Sequence, residues 1–317
     1  MSASNPSADS VGRHAPVLLD AAVDALLSID VPAGRVFVDG TFGRGGHSRA
    51  ILQRIASVDR LVVIDRDPAA IKEAAMVALQ DSRVTVLHGS WEEALIALRE
   101  MGIDSWHGVL LDLGVSSPQL DDSSRGFSFQ HDGPLDMRMN PEAGLSAAEW
   151  LNTAEEWDIA KVLFEYGEEP MARKIAKSIC VRRPLERTSD LVDAVREARS
   201  ARSGGRHEAT RTFQAIRIKI NDELGMLERT LPRLFDGLAA KGRLVVISFH
   251  SLEDRIVKHT FRSLSTSPDL PRHLPVRADA HRPLARLLGK PATPEPVETT
   301  ANPRARSARL RVLERLP

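Results

Sequence analysis

The sequence predicts a doubly wound α/β fold, a class I (Rossmann-like) sheet interrupted by an inserted helical domain, and three observations carry that reading. Short apolar runs rich in Val, Ile and Leu recur at 36–38, 61–64, 84–87, 109–111 and 244–247. Helical patterns at 68–79 and 91–99 separate several of them at βα spacing, which implies parallel strands covered on both faces. Between the fourth run and the fifth lie about 130 residues that read as helical, far more than one crossover requires.

The first run ends in Asp39-Gly40-Thr41-Phe42-Gly43-Arg44-Gly45-Gly46-His47. Glycines here let the chain turn sharply and approach a ligand without an obstructing Cβ. Read alone, the cluster is equally a structural turn. The second run, however, ends in Asp65, where doubly wound folds place an acid that accepts from ribose hydroxyls, so the pair points to a bound adenosine moiety. The fourth run ends in Asp112-Leu113-Gly114-Val115-Ser116-Ser117-Pro118-Gln119, on the carboxyl side of the sheet where chemistry gathers. The insertion is expected at 124–211, bounded by a Gly, Pro and Asp-rich segment at 121–134 and a flexible stretch at 200–207. The sheet domain would then comprise 13–123 and 212–317, after a disordered N-terminus at 1–12. Positions 212–238 read as one long amphipathic helix returning to the sheet; its apolar positions exceed what one sheet face needs, which leaves a homodimer open. Near the end 309–313 alternates as a half-exposed strand, and 283–290 is its candidate partner.

With 42% hydrophobic and 27% charged residues, the chain has the composition of a soluble globular protein. The one cysteine, Cys180, excludes an internal disulfide and reads as a small buried apolar side chain. No apolar run is long enough to span a bilayer and no secretory leader is visible, so a cytoplasmic location is expected. No metal-ligand spacing is present. Formal charge is zero but unevenly spread: positions 171–219 hold thirteen Lys/Arg against five acids, and 271–317 hold ten against four. Such blocks suit a phosphate-bearing partner or a solvated helix face. Arg173, Lys174 and Lys177 fall on one helical face, with Arg182, Arg183, Arg202, Arg206 and Arg211 after them; Arg304, Arg306 and Arg309 form a further patch.

A nicotinamide enzyme would prefer Gly-x-Gly-x-x-Gly spacing, whereas this turn suits the methionine end of S-adenosylmethionine. Seven blocks in order then resemble the bacterial ribosomal RNA small-subunit methyltransferase H family: Asp39 to Ser48, Asp65-Arg66-Asp67-Pro68, Asp112 to Asp121, Arg125-Gly126-Phe127-Ser128-Phe129, Asp132 to Met139, Thr210 to Ala215 and Ser248-Phe249-His250-Ser251-Leu252-Glu253-Asp254-Arg255. The resemblance covers almost the whole chain. It implies methyl transfer from S-adenosylmethionine to the exocyclic N4 of a cytidine in the decoding centre of 16S rRNA, on 30S particles, with the insertion recognising substrate. It further implies cofactor contacts from Gly45, Gly46, His47, Asp65, Trp91, Asp112 and Gln119. Position 91 is expected to be Phe in many relatives; Trp still offers a flat surface to adenine, and its bland alternative is core packing.

Cytosine N4 has its lone pair delocalised into the ring, so an acceptor pulling on its hydrogens favours attack. Asp112 and the backbone around Ser116, Ser117 and Pro118 are the candidate catalytic groups. Ser116-Ser117-Pro118-Gln119 only partly matches the acid-or-Ser, Pro, Pro, aromatic motif of amine methyltransferases. Phe127 and Phe129 therefore stand as candidates to stack on the base, against the alternative that they pin the insertion to the sheet. Asp136, His250, Glu253 and Asp254 either border the cleft or cap helices. Two other classes stay open: a nicotinamide-dependent oxidoreductase and a non-catalytic ribosome-assembly factor.

Overall fold

The structure is a computed structural model that describes residues 16–199, 208–267 and 282–317. The expected disordered start at 1–12, the flexible stretch at 200–207, and Arg202 and Arg206 within it, lie outside the described residues.

Seven strands form one sheet: β1 (Val36–Asp39), β2 (Arg60–Asp65), β3 (Val84–His88), β4 (Trp106–Asp112), β5 (Leu238–Ser248), β6 (Ala285–Leu287) and β7 (Arg309–Arg315), in the order β3-β2-β1-β4-β5-β7-β6. The first five are mutually parallel, and β7 runs antiparallel to both β5 and β6. Every apolar run of the sequence is a strand, and the C-terminal pair forms where alternation placed it.

The central strands are continuous apolar runs because both their faces are buried. Phe37, Leu61, Val63, Leu110, Val245 and Ile247 point to one side. There they meet α1 (Leu19–Leu27), α2 (Gly46–Leu52) and α3 (Pro68–Gln80) through Leu26, Ile51 and Ala74. Val38, Val62, Val109, Leu111 and Val246 point to the other. That side is covered by α4 (Trp91–Glu100), α11 (Glu223–Asp236) and α12 (Ser251–Ser265) through Leu98, Leu231 and Phe261. Each such fully buried side chain contributes about 1.5–3 kcal/mol. Local signals start the helices: Asp67 caps α3 by accepting from Ala69 N at 2.9 Å with Pro68 at the first position, and Ser90 and Glu93 form a capping box on α4.

After β4 come α5 (Ser117–Asp121) and a helical layer of α6 (Ala147–Thr153), α7 (Glu156–Gly167), α8 (Ala172–Arg182), α9 (Thr188–Arg199) and α10 (Thr210–Asn221). Its core joins Leu151, Ile159, Leu163, Ile175 and Leu191 with Phe213, Ala215 and Ile216 of α10. The single helix expected at 212–238 is therefore two. The chain breaks at Asp222, whose φ of 49° is left-handed, while Pro232 sits inside α11 without ending it. The apolar surplus that left a dimer open is used within one chain: α10 faces the helical core and α11 faces the sheet. The last helix, α13 (Pro296–Ala301), leads into a short 3-10 turn, Pro303–Ser307, and then β7.

Strand order reverses between β1 and β4, from which the chain proceeds outward in opposite directions. That switch point opens a crevice outside the carboxyl ends of the strands, the general ligand position of such sheets.

Candidate active site

The glycine turn after β1 and the Ser116 segment after β4 face each other across this crevice. A Cβ built on Gly43 would lie 4.0 Å from Ser116 Cβ. Gly45 has a φ of 70° and its place for a Cβ is filled by Phe42 at 2.5 Å; that of Gly46 is filled by Pro16 at 2.1 Å. The turn thus needs glycine for conformation at Gly45, and at Gly43 with a φ of 54°, and for packing at Gly45 and Gly46.

Carboxylates hold it. Asp65 accepts Gly43 N at 2.7 Å and Asp67 N at 2.9 Å, tying the end of β2 to the turn. Asp39, fully buried, accepts Ser48 Oγ at 2.5 Å and Thr41 N at 3.1 Å. Thr41 Oγ1 in turn accepts Asp112 N at 2.6 Å, which locks the end of β4 to the same turn. Burial, offset in part by the Ser48 and Thr41 hydrogen bonds, raises the Asp39 carboxyl to about 6. Burial also raises Asp65. Asp112 is pushed well above the usual carboxylate range by burial, with Asp39 and Glu253 adding like charge.

His47, at the second position of α2, is buried, and burial lowers it to about 4, so the ring is neutral at pH 7. Its Nδ1 lies 3.7 Å from Asp112 Oδ2. Among the described residues, His47 Nε2 and Asp112 Oδ1 are buried polar atoms without a hydrogen-bond partner. Buried polar atoms are paired as a rule, so the unpartnered Asp112 oxygen at the end of β4 is a candidate to receive a ligand's polar group. Trp91, first residue of α4, donates its indole N–H to Gly40 O at 2.6 Å and stands half-buried beside the turn.

Gln119 is placed differently from a simple ligand contact. Its amide oxygen accepts Ser116 N at 2.8 Å and its nitrogen donates to Asp67 Oδ2 at 2.8 Å, so it fixes the Ser116-Ser117-Pro118 segment against β2. Arg125 donates to the same Asp67 oxygen at 2.8 Å and to Arg138 O and Met139 O at 3.0 and 2.8 Å. The double role of Asp67, helix cap and hub, was not assigned from sequence, although it lies inside a recognised block. Asn221 escaped notice altogether. It accepts Met139 N at 2.7 Å and donates to Met137 O at 2.7 Å, while its own carbonyl accepts from Arg66 at 2.7 Å.

Several expectations are corrected. Phe127 is 5% exposed in the helical core and Phe129 packs edge-on against Phe213 at 5.4 Å, so both pin the insertion and Phe127 is not available to a base. Phe249, which follows β5, is half-buried and lies 3.8 Å from a Cβ built on Gly114 in the segment after β4. His250 caps α12 and lies 3.1 Å from Glu253 through Nε2; Glu253 also accepts Phe249 N at 2.8 Å. Although burial pushes Glu253 up, His250 and Arg217 hold it below its ordinary range. Asp136 pairs with Arg138 at 2.6 Å and Asp254 with Arg311 at 2.7 Å, both structural roles. Cys180 is half-buried against the helical core, and no group that could hold a metal ion is found among the described residues. Nor is any described helix long and apolar enough to cross a membrane.

Comparison with known proteins decides the family. The profile of the MraW methylase family matches residues 12–316. The chain belongs to that family. Ribosomal RNA small subunit methyltransferase H of Ralstonia pickettii (strain 12J) is 52% identical over 316 residues, covering 96% of this chain and 97% of the relative. The protein of the same name from Chromohalobacter salexigens is 53% identical over 310 residues, covering 96% and 92%. Among solved structures, an rRNA methylase from Streptococcus thermophilus aligns with a TM-score of 0.40 at 10% identity, covering 97% of this chain and 99% of the other. Membership of the MraW methylase family makes S-adenosylmethionine the cofactor, and the crevice suits it. Carboxylates that resist ionisation alone, as at Asp39 and Asp112, would be relieved by a sulfonium cation beside the glycine turn.

Proposed function

We propose that this methylase modifies the exocyclic N4 of a cytidine in the decoding centre of 16S rRNA, on the 30S particle. The observation that carries the reading is Asp112. Its unpartnered buried oxygen stands at the end of β4, and its backbone is tied through Thr41 to the glycine turn. An acceptor of amine hydrogens is thus built into the wall of the cofactor crevice. Support from outside the site comes from relatives named for the small-subunit rRNA.

S-adenosylmethionine supplies an electrophilic methyl whose sulfur leaves neutral, so the N4–CH3 bond forms as the S–CH3 bond breaks and N4 gives up one proton. The chain's own task is positioning and that proton. The turn at Gly45 and Gly46 would lie beside the cofactor's amino-acid end, Asp65 would hold its ribose, and Trp91 and His47 flank the same turn. Asp112, with its raised proton affinity, accepts a hydrogen from N4 and draws the nitrogen toward the pyramidal form. Ser116, Ser117 and Pro118, held by Gln119, form the opposite lip, and Phe249 offers a face to the base. Entry of an unstacked cytidine fits a crevice walled by the helical insertion at 124–211. Exposed Arg173, Lys174 and Lys177 on α8 meet phosphate.

A nicotinamide enzyme is disfavoured by the same geometry, since a pyrophosphate would face Asp39, Asp65 and Asp112. A non-catalytic assembly factor leaves the unpartnered Asp112 oxygen unexplained. Incubation with labelled S-adenosylmethionine and 30S particles lacking the modification, followed by mass mapping of nucleosides, tests the reading. Label is expected as N4-methylcytidine at one position; label on another nucleoside, or bound cofactor with no transfer, overturns it.

A further inference from the structure

We infer that a cationic groove beside the crevice, walled by α12 and the turn before β7, holds the RNA sugar-phosphate backbone next to the target base. The inference rests on the reading of an rRNA substrate and places part of that substrate on the sheet domain rather than on the helical insertion.

The groove encloses about 450 Å³. Ser251, Asp254, Arg255 and Lys258 share one face of α12 and form one wall. Arg306, Ser307 and Arg309, from the 3-10 turn and the start of β7, form the other. Four lining side chains are cationic and one is acidic. That acid is already spent: Asp254 takes two hydrogen bonds from Arg311, at 2.7 and 3.0 Å, and lies 3.5 Å from Arg309. Arg255 reaches toward Glu168 at 3.6 Å but stays 68% exposed. Lys258 and Arg306 are exposed and form no salt bridge among the described residues, although Lys258 exerts a pull on Asp254 one turn earlier in α12. Cations that the fold does not neutralise, with the hydroxyls of Ser251, Thr293 and Ser307 between them, suit successive phosphates and riboses.

Position argues for the same occupant. Arg309 pairs with Ser248 at the carboxyl end of β5, and Asp112 pairs with Ile247 of that strand. Two strand spacings, about 10 Å, separate the groove's edge from the end of β4. Arg304 pairs with Asp121 at 3.0 Å, fastening the groove's outer wall to α5, which carries the Ser116 lip on its other end. A base entering the crevice would bring its own backbone over this groove.

The test uses the full chain, K258Q/R306Q and 30S particles lacking the modification, with KM for the particle measured across a salt series. Both replaced side chains are exposed and outside any salt bridge among the described residues, so circular dichroism and cofactor affinity should match the wild type. The expected result is a raised KM at 0.15 M salt, kcat little changed, and a salt slope lower by about 1.5 to 2. A second variant, K258R/R306K, should restore both. Unchanged KM and slope in an active protein overturn the groove alone. A wild type that binds cofactor but transfers nothing to the particles overturns the rRNA reading, and the groove with it.

Discussion

Asp112 is unfavourably placed for its own charge: half-buried, near Asp39 and Glu253, with one buried oxygen unpartnered among the described residues. Such a position is kept for chemistry at a cost in stability. Asp112→Asn keeps the shape and removes the charge, so methyl transfer should fall about 10²–10⁴-fold while the melting temperature holds or rises. Activity within tenfold of wild type would place the proton acceptor elsewhere. His47 allows a sharper measurement. Its folded proton affinity is depressed from 6.5 to about 4 by burial. As pH falls below 6.5 the unfolded chain takes the proton first, and stability is lost down to about pH 4. Asp39, raised to about 6, works in the opposite sense: its contribution is full below 3.8 and is lost as pH rises to about 6. The two slopes offset in the wild type. In His47→Gln only the second remains, so between pH 6.5 and 5 the variant should gain about 2 kcal/mol relative to wild type, read from urea midpoints. A constant difference across that range would show that the buried ring keeps its ordinary affinity. From sequence, the turn, Asp65 and Asp112 were legible because their chemistry sits in a short local pattern. The Asp39–Ser48 bond and the Asp67–Gln119–Arg125 cluster were not, since each joins residues that only the folded crevice brings together.

Elements were legible wherever burial on both faces left a continuous apolar run, as in β1, β2 and β4. The break between α10 and α11 was not, because Asn221-Asp222-Glu223 lies in an amphipathic pattern whose nearest glycine, Gly225, falls past the break inside α11. What ends α10 is long-range: Asn221 turns inward to bond Met137 and Met139, more than eighty residues away in sequence. Met137 itself is held at a φ of 61°, a left-handed conformation that a buried Met adopts only when its surroundings fix it. Asn221 supplies that fixing, and its carbonyl adds the Arg66 tie to the end of β2. Asn221→Ala leaves a buried N–H and a buried C=O unpaired, which should cost about 2–6 kcal/mol by urea unfolding, with transfer reduced even where the fold survives. A loss under about 1 kcal/mol would mean the latch lies elsewhere.

At the scale of the whole molecule, composition showed two basic blocks but not which charges are committed inside the fold. Arg183 donates to Leu151 O at 2.8 Å and also to Ala154 O, and is half-buried. Arg182 pairs with Glu197 at 2.7 Å and Asp193 at 3.4 Å. Reversing these two, the natural choice from sequence, would damage the helical layer before it reported on RNA. Arg173, Lys174 and Lys177 are instead exposed on one face of α8, with no acidic partner among the described residues. Net charge is zero, so attraction to rRNA has to come from such local faces, screened over about 8 Å at physiological salt. K174E/K177E should therefore weaken binding to 30S particles most at low salt and flatten the dependence on salt, with cofactor affinity unchanged. Arg183→Ala should do the reverse, lowering the urea midpoint while leaving the salt slope as in the wild type. If the two variants exchanged these outcomes, the face that meets RNA would be the one that α6 now covers, and the helical layer would have to open to bind.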